Sequence, residues 1–207
     1  MNGRAKTHWE AVYAQRTPDS VSWFQPHAEH SLELIARAGL TRDAAIIDVG
    51  GGASTLADDL LARGYHDLTV LDLSAAALAA AQVRLGDDAR RVSWVEADIT
   101  AVDLPRQRYD LWHDRAVFHF LIRPEQRAAY RAALAAGLAD DGAAIIATFA
   151  PDGPETCSGL AVERYDARGL ADAIGPGFRL EADWREEHTT PWGAVQAFTW
   201  CLLRRRA

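Results

Sequence analysis

Between residues 44 and 150 short apolar runs alternate with helix-forming segments, and this alternation restricts the fold more than any other feature. "AAIIDV" (44–49), "LTVLDL" (68–73), "RVSWVEAD" (91–98), "YDLWHD" (109–114) and "AAIIATFA" (143–150) are short and apolar, as strands buried on both faces are. The stretches between them carry helix signals. Ser54 leads into Leu56, Leu60 and Leu61 and stops at Gly64, and Ser74 precedes an Ala-rich run to Gly86. Pro124 suits a first helical turn, with Tyr130, Leu134 and Leu138 following on one face. Asp141-Gly142 is read as the turn into the fifth strand. Strands alternating with helices predict a mostly parallel sheet covered on both faces, a doubly wound Rossmann-like α/β fold. A further helix spans 166–175. Two last strand-like runs, "FRLEADWREEH" and "AVQAFTWCLL", have no helix between them and predict an antiparallel hairpin, for seven strands in all.

The N-terminal forty residues read as helical. Thr7 and Glu10 fit a capping box before "WEAVYAQR", and a second helix follows Pro26 through "HAEHSLELIARAG" to Gly39. At 207 residues the expectation is one domain, with 1–40 as a helical N-terminal lid and 41–207 as the ligand-binding core.

Composition removes several function classes. A formal net charge of −7 disfavours a nucleic-acid partner, which needs a basic face. The two cysteines, Cys157 and Cys201, form neither a disulfide framework nor a metal-ligand spacing, so no metal is expected. No apolar segment approaches membrane-spanning length and the start of the chain is polar, so no membrane contact is expected and the cytoplasm is the expected compartment.

The first strand runs into three glycines, "IIDVGGGAST" (46–55). A phosphate-binding P-loop would need Lys followed by Ser or Thr; Ala53 and Ser54 stand there instead. The dinucleotide fingerprint is met at Gly50 and Gly52 but has Thr55 in its third place, and Asp72, twenty residues after Gly52, matches its acidic position. Asp48, just before the glycines, would repel a pyrophosphate. A nicotinamide-dependent oxidoreductase therefore stays open on the loop alone.

Taken in order, "IIDVGGGAST", "LDLS", "EADIT" and "YDLWHDRAVFHFL" resemble the motifs of class I S-adenosylmethionine-dependent methyltransferases, and the resemblance runs from about Trp9 to Leu203. Ser54 departs from the family's usual third glycine, and Gly51 fills a variable position. The resemblance implies that S-adenosylmethionine is bound and S-adenosylhomocysteine released. Gly50, Gly51 and Gly52 would let the backbone approach this ligand. Asp72 would accept from both ribose hydroxyls and Asp98 from the adenine amino group, with Leu73 and Ile99 on either side of the ring. Asp48 would stand beside the site, and Arg115 and Ala116 beside the methionine portion. Trp9 and Trp23 would fold over the ligand from the N-terminal segment.

Methyl transfer from a sulfonium needs positioning more than acid or base chemistry. For the acceptor side, His119 is the candidate base and Asp114 its companion at the end of the fourth strand; Cys157, after the fifth, is also at the mouth. A small-molecule acceptor is expected, with a protein side chain as the alternative and a non-catalytic S-adenosylmethionine-binding protein as a third class. The oligomeric state is not written in the sequence.

Overall fold

A computed structural model describes residues 3–206; Met1, Asn2 and Ala207, the outermost residues of the lid and core segments, lie outside them. The elements in chain order are α1 (Gly3–Gln15), α2 (Glu29–Arg37), β1 (Ala45–Val49), α3 (Leu56–Ala62), β2 (Asp67–Asp72), α4 (Ala75–Leu85), β3 (Val92–Glu96), β4 (Tyr109–Arg115), α5 (Pro124–Gly137), β5 (Leu138–Phe149), the two-residue strands β6 (Thr156–Cys157) and β7 (Leu160–Ala161), α6 (Ala167–Ile174), β8 (Phe178–Thr189) and β9 (Val195–Arg205).

Seven strands form one sheet in the order β3-β2-β1-β4-β5-β9-β8. β1 to β5 are parallel; β9 runs antiparallel to β5, and β8 antiparallel to β9. The expected C-terminal hairpin is thus present. All five residues of β1 are buried, and its alternation divides them between two cores. Ile46 packs with Leu34, Ile35, Leu56, Leu60 and Trp200 on one face. Ile47 and Val49 pack with Tyr130, Leu134, Leu170 and Leu203 on the other. A sheet covered on both faces explains the unbroken apolar runs.

Strand order reverses between β1 and β4: β2 and β3 build outward on one side, β4 and β5 on the other. The crevice outside the strand C-termini at such a reversal is where open α/β sheets bind ligands.

Two local expectations change. Asp141-Gly142 does not end a helix-to-strand turn. α5 passes directly into β5 at Leu138, which pairs with Tyr109, and the register then jumps so that Leu111 faces Ala143. The dipeptide lies in this bulge, with Asp141 at φ +59°, because burying Leu138 extends the strand past it. At the other end, α1 already includes Gly3, so Thr7 is no N-cap: its hydroxyl donates back to the Gly3 carbonyl at 2.9 Å. Glu10 instead caps a different helix, accepting from the Ala75 amide at 2.6 Å at the start of α4. Ser74 caps α4 as read, accepting from the Ala77 amide at 3.2 Å.

Candidate functional site

The C-terminal tips of β1, β2 and β4, with the turn after β3, open onto a cleft of about 750 Å³. Val49 and Gly50, Leu71 to Leu73, Ala97 and Ile99, and Arg115 to Val117 line one part of it. Phe149, Cys157, Gln196 and Phe198 line the part toward β5 and β9. β9 reaches this edge because it runs antiparallel to β5, which puts its first residues, with Phe198 opposite Phe149, at the end where the parallel strands finish.

The glycine turn is shaped by the side chains beneath it. Gly50 has φ +71°, and a Cβ there would come 2.0 Å from Val117 Cγ2. At Gly52 (φ +37°) a Cβ would sit 2.6 Å from Asp72 Oδ2, filling the space between loop and carboxylate. At Gly51 it would meet Asp48 Oδ2 at 2.4 Å, so the Asp48 carboxylate is tucked under the loop. These positions tolerate no side chain without rearrangement.

Asp72 is buried at the tip of β2 and accepts from the Ser74 amide at 2.8 Å through Oδ1. Burial is the main cause that pushes its pKa up to about 7, assisted by the nearby Asp48 charge and opposed by the backbone amides. Asp48 does not reach outward. Its Oδ1 lies 2.7 Å from His113 Nδ1, and His113 Nε2 lies 3.0 Å from Ser31 Oγ. This buried chain links β1, β4 and α2 along the wall of a second cavity of about 570 Å³, which meets the first at Tyr13, Trp23, Gly50 and Arg115.

α1 crosses the cleft with no buried residue of its own. It is tied down at its edges by the Lys6–Glu96 ion pair, by Glu10 on α4 and by His8 Nε2, 3.3 Å from Ser158 Oγ. Its aromatic residues pack edge-on above the cleft: the Trp9 ring lies 5.6 Å from Trp23 and 5.3 Å from Phe120, centroid to centroid. Trp9, Tyr13 and Trp23 all line the cavity.

Two expected site residues, Asp114 and His119, sit elsewhere. Asp114 points to the opposite sheet face from His113 and Arg115, since successive strand residues alternate. It is fully buried and accepts from Tyr130 Oη at 2.6 Å and the Val117 amide at 2.8 Å, so it ties α5 and the following turn to β4 and does not line the cleft. His119 is also completely buried, stacked edge-on against Phe120 at 4.4 Å and facing Phe149 at 4.8 Å. Its Nδ1 accepts from the Phe149 amide at 3.4 Å, and burial, with help from the Arg115 charge, pushes its pKa down to about 3. A neutral imidazole walled off from the cleft is no general base. Its neighbour Phe120 takes the cleft-facing position because the turn after β4 rotates His119 inward. Asp98 has its Oδ1 engaged by the Thr100 amide at 2.9 Å and hydroxyl at 2.7 Å, while Ala97 and Ile99 on either side line the cleft. Burial alone would raise its pKa; hydrogen bonds, those of Thr100 among them, bring it below the usual carboxylate value.

The sequence reading gave Glu10 a capping role on its own helix only and did not single out Ser31, Gln196 or Phe198. For the last two the signal was present: an antiparallel final strand necessarily starts at the ligand-binding edge. Cys157 does line the cleft, as a buried thiol whose pKa burial pushes up to about 12. No group of three or more His, Cys, Asp or Glu side chains among the described residues is arranged to hold a metal, and no helix among them is long and apolar enough to cross a membrane.

Residues 46–142 match a family model described as a methyltransferase domain. The fold superposes on 1,6-didemethyltoxoflavin-N1-methyltransferase of Burkholderia thailandensis with a TM-score of 0.75, at 21% identity over 98% of this chain and 88% of that one. An S-adenosylmethionine-dependent methyltransferase of Anabaena variabilis gives a TM-score of 0.75 at 15% identity, covering 100% of this chain and 96% of that one. In sequence, the mouse eEF1A lysine and N-terminal methyltransferase is 21% identical over 124 residues; the match covers 60% of this chain and 18% of that protein, so the chain spans less than a fifth of it. The residues present suit S-adenosylmethionine: a glycine turn that leaves room for close approach, a carboxylate at the second strand tip, and largely apolar walls. Residues 46–142 thus match a methyltransferase domain, and the seven-stranded order is that of the Rossmann-like methyltransferase fold.

Proposed function

We propose that this enzyme methylates a small, flat, largely apolar molecule that lies in the cleft between the strand tips and α1. The enclosure itself carries this reading. A cleft walled by Trp9, Trp23, Phe120, Phe149 and Phe198 has the apolar, aromatic lining of a small-molecule site. The Burkholderia relative was crystallised with 1,6-didemethyltoxoflavin, a small molecule, and S-adenosylhomocysteine.

The cofactor half lies toward β2 and β3. Asp72 would hold the ribose hydroxyls, Leu73 and Ile99 would flank the adenine, and Gly50, Gly51 and Gly52 would admit the backbone close to the ligand. Asp48 supports Gly51 from below, and Asp98 shapes the turn that presents Ala97 and Ile99. The backbone of Arg115 and Ala116 borders the methionine portion. The N-terminal segment, residues 1–40, serves as lid over the core, with Trp9 and Trp23 sealing the cleft. S-Adenosylmethionine supplies an already activated methyl group on a sulfonium.

The protein contributes orientation and exclusion of water. Among the described residues lining the half toward β5 and β9, none takes up a proton near neutral pH: burial raises Tyr13 and Cys157, and His119 is outside the cavity. The acceptor atom is therefore one that reacts without help from a protein base.

The test is to incubate the enzyme with methyl-labelled S-adenosylmethionine and a deproteinised cell extract, and separately with the protein fraction. Label entering the small-molecule pool supports the reading. Label confined to protein, as the mouse relative's name would suggest, overturns it.

A further inference from the structure

Among the described residues lining the cleft, two side chains carry charge near neutral pH, Asp72 in the cofactor half and Arg115 at the tip of β4. Arg115 is buried deep in the wall, and its guanidinium leans toward β8 and β9, 4.9 Å from the Phe198 ring. Its hydrogen bonding is incomplete. Nη1 donates to the Trp23 carbonyl at 3.0 Å, while Nε and Nη2 have no hydrogen-bond partner among the described residues. Two carboxylates act on it electrostatically, Glu186 and Asp48, and Glu186 Oε1 lies 3.9 Å from Nη2, beyond hydrogen-bond reach. Glu186 is committed elsewhere, accepting from Gln25 Nε2 at 3.1 Å and from Trp200 Nε1 at 2.8 Å. Close by, Gln196 lines the same half of the cleft, and its Oε1 is buried without a partner.

A guanidinium taken out of water with two donor nitrogens unmet is costly, and structures keep such a group where something completes it. Two unmet donors in a planar fork match one carboxylate, and the aromatic walls match a flat ring attached to it. Asp72 stands in the cofactor half, so among the described lining residues the acceptor half presents one positive charge and no negative one.

We infer that the acceptor half of the cleft is an anion-selective subsite, in which Arg115 grips a carboxylate or comparable ionised oxygen of an aromatic acceptor, while Gln196 Oε1 accepts from an N–H or O–H elsewhere on that molecule. This deepens the small-molecule reading and rests on it. The cation of the bound methyl donor adds a second positive charge facing the same space, which further favours an acidic acceptor over a basic one.

The experiment is calorimetric titration of the enzyme saturated with S-adenosylhomocysteine, using 2-naphthoate, 2-naphthamide and 2-naphthylmethylammonium as probes of one shape and three charges. The expected result is that naphthoate binds about tenfold or more tightly than naphthamide and that the ammonium does not bind. Arg115→Met should remove the preference and Arg115→Lys should keep part of it. Equal affinity for naphthoate and naphthamide in the unaltered protein overturns the inference, whatever the variants do. So does a naphthoate preference that survives Arg115→Met in a variant that still melts cooperatively. Failure of S-adenosylhomocysteine itself to bind would instead remove the underlying reading, so the two failures are distinguishable.

Discussion

Asp48 and His113 sit opposite one another in neighbouring strands, and their side chains meet 2.7 Å apart (Oδ1 to Nδ1) beneath the glycine turn. Ser31 of α2 completes the chain from the other ring nitrogen at 3.0 Å. All three residues are buried, so each group's partner along this chain compensates for lost water.

His113→Leu should therefore leave a buried carboxylate and hydroxyl without partners and cost about 3–5 kcal/mol, measured by urea unfolding. The double variant Asp48→Leu, His113→Leu should cost clearly less than the two single changes summed, because the second substitution removes a group already stranded by the first. Strict additivity would mean that the two side chains do not depend on each other.

Asp72 has its pKa raised to about 7, chiefly by burial. A carboxyl group that holds its proton more tightly when folded favours the folded state less as pH rises from the ordinary value of 3.8 to about 7, and the full penalty is present above that. In the ligand-free enzyme, Asp72→Asn should thus be stabilising by about 1–3 kcal/mol at pH 8 and near neutral at pH 4. S-Adenosylhomocysteine binding, in contrast, should strengthen in the unaltered protein as pH passes upward through about 7, since the ionised carboxylate is the better acceptor for two hydroxyls. The asparagine variant should bind weakly at every pH. Calorimetry across that range would refute the assignment if both proteins bound alike.

Gly50 and Gly39 have nearly the same backbone, φ +71° and +74°, but different surroundings. A Cβ at Gly39 meets nothing within 4 Å, whereas at Gly50 it would overlap Val117 Cγ2. Gly39→Ala should cost about 1–2 kcal/mol, for the left-handed backbone alone. Gly50→Ala should cost about 1–3 kcal/mol more from overpacking, and adding Val117→Ala should recover part of the difference. Similar losses at both glycines in thermal melts would show that the turn has room to spare.

His119 has its pKa pushed down to about 3, first by burial and then by Arg115. The unfolded chain binds a proton near pH 6.5 and the folded chain does not, so stability should fall as pH drops from about 6.5 toward 3, by up to about 1.4 kcal/mol per unit. His119→Asn, which keeps an acceptor facing the Phe149 amide, should lack that slope. Unfolding curves at pH 7, 5.5 and 4.5 compare the two; identical slopes would mean that the imidazole reaches solvent. The Asp72 contribution runs the other way over much of this range and is common to both proteins.

Local pattern was enough to place β1 to β4, the helices between them and the closing hairpin, because each of these depends on residues adjacent in the chain: apolar runs, Ser74 as a cap, Pro124 at a helix start, and a missing helix between the last two strands. That Gly50, Asp72, Leu73 and Ile99 come to one cleft was readable for the same reason, as a strand tip and the turn after it form one local unit. What the tertiary fold alone decided is the direction and company of side chains. Whether Asp114 or Arg115 faces the cleft depends on which sheet face α5 covers, and His119 is walled off because the turn after β4 tips Phe120 outward in its place. Glu10 caps a helix 65 residues away, and Ser31, Asp48 and His113 meet only when α2, β1 and β4 are packed together. Burial, partner and charge state arise from contacts between distant segments, and no periodicity in the chain encodes them.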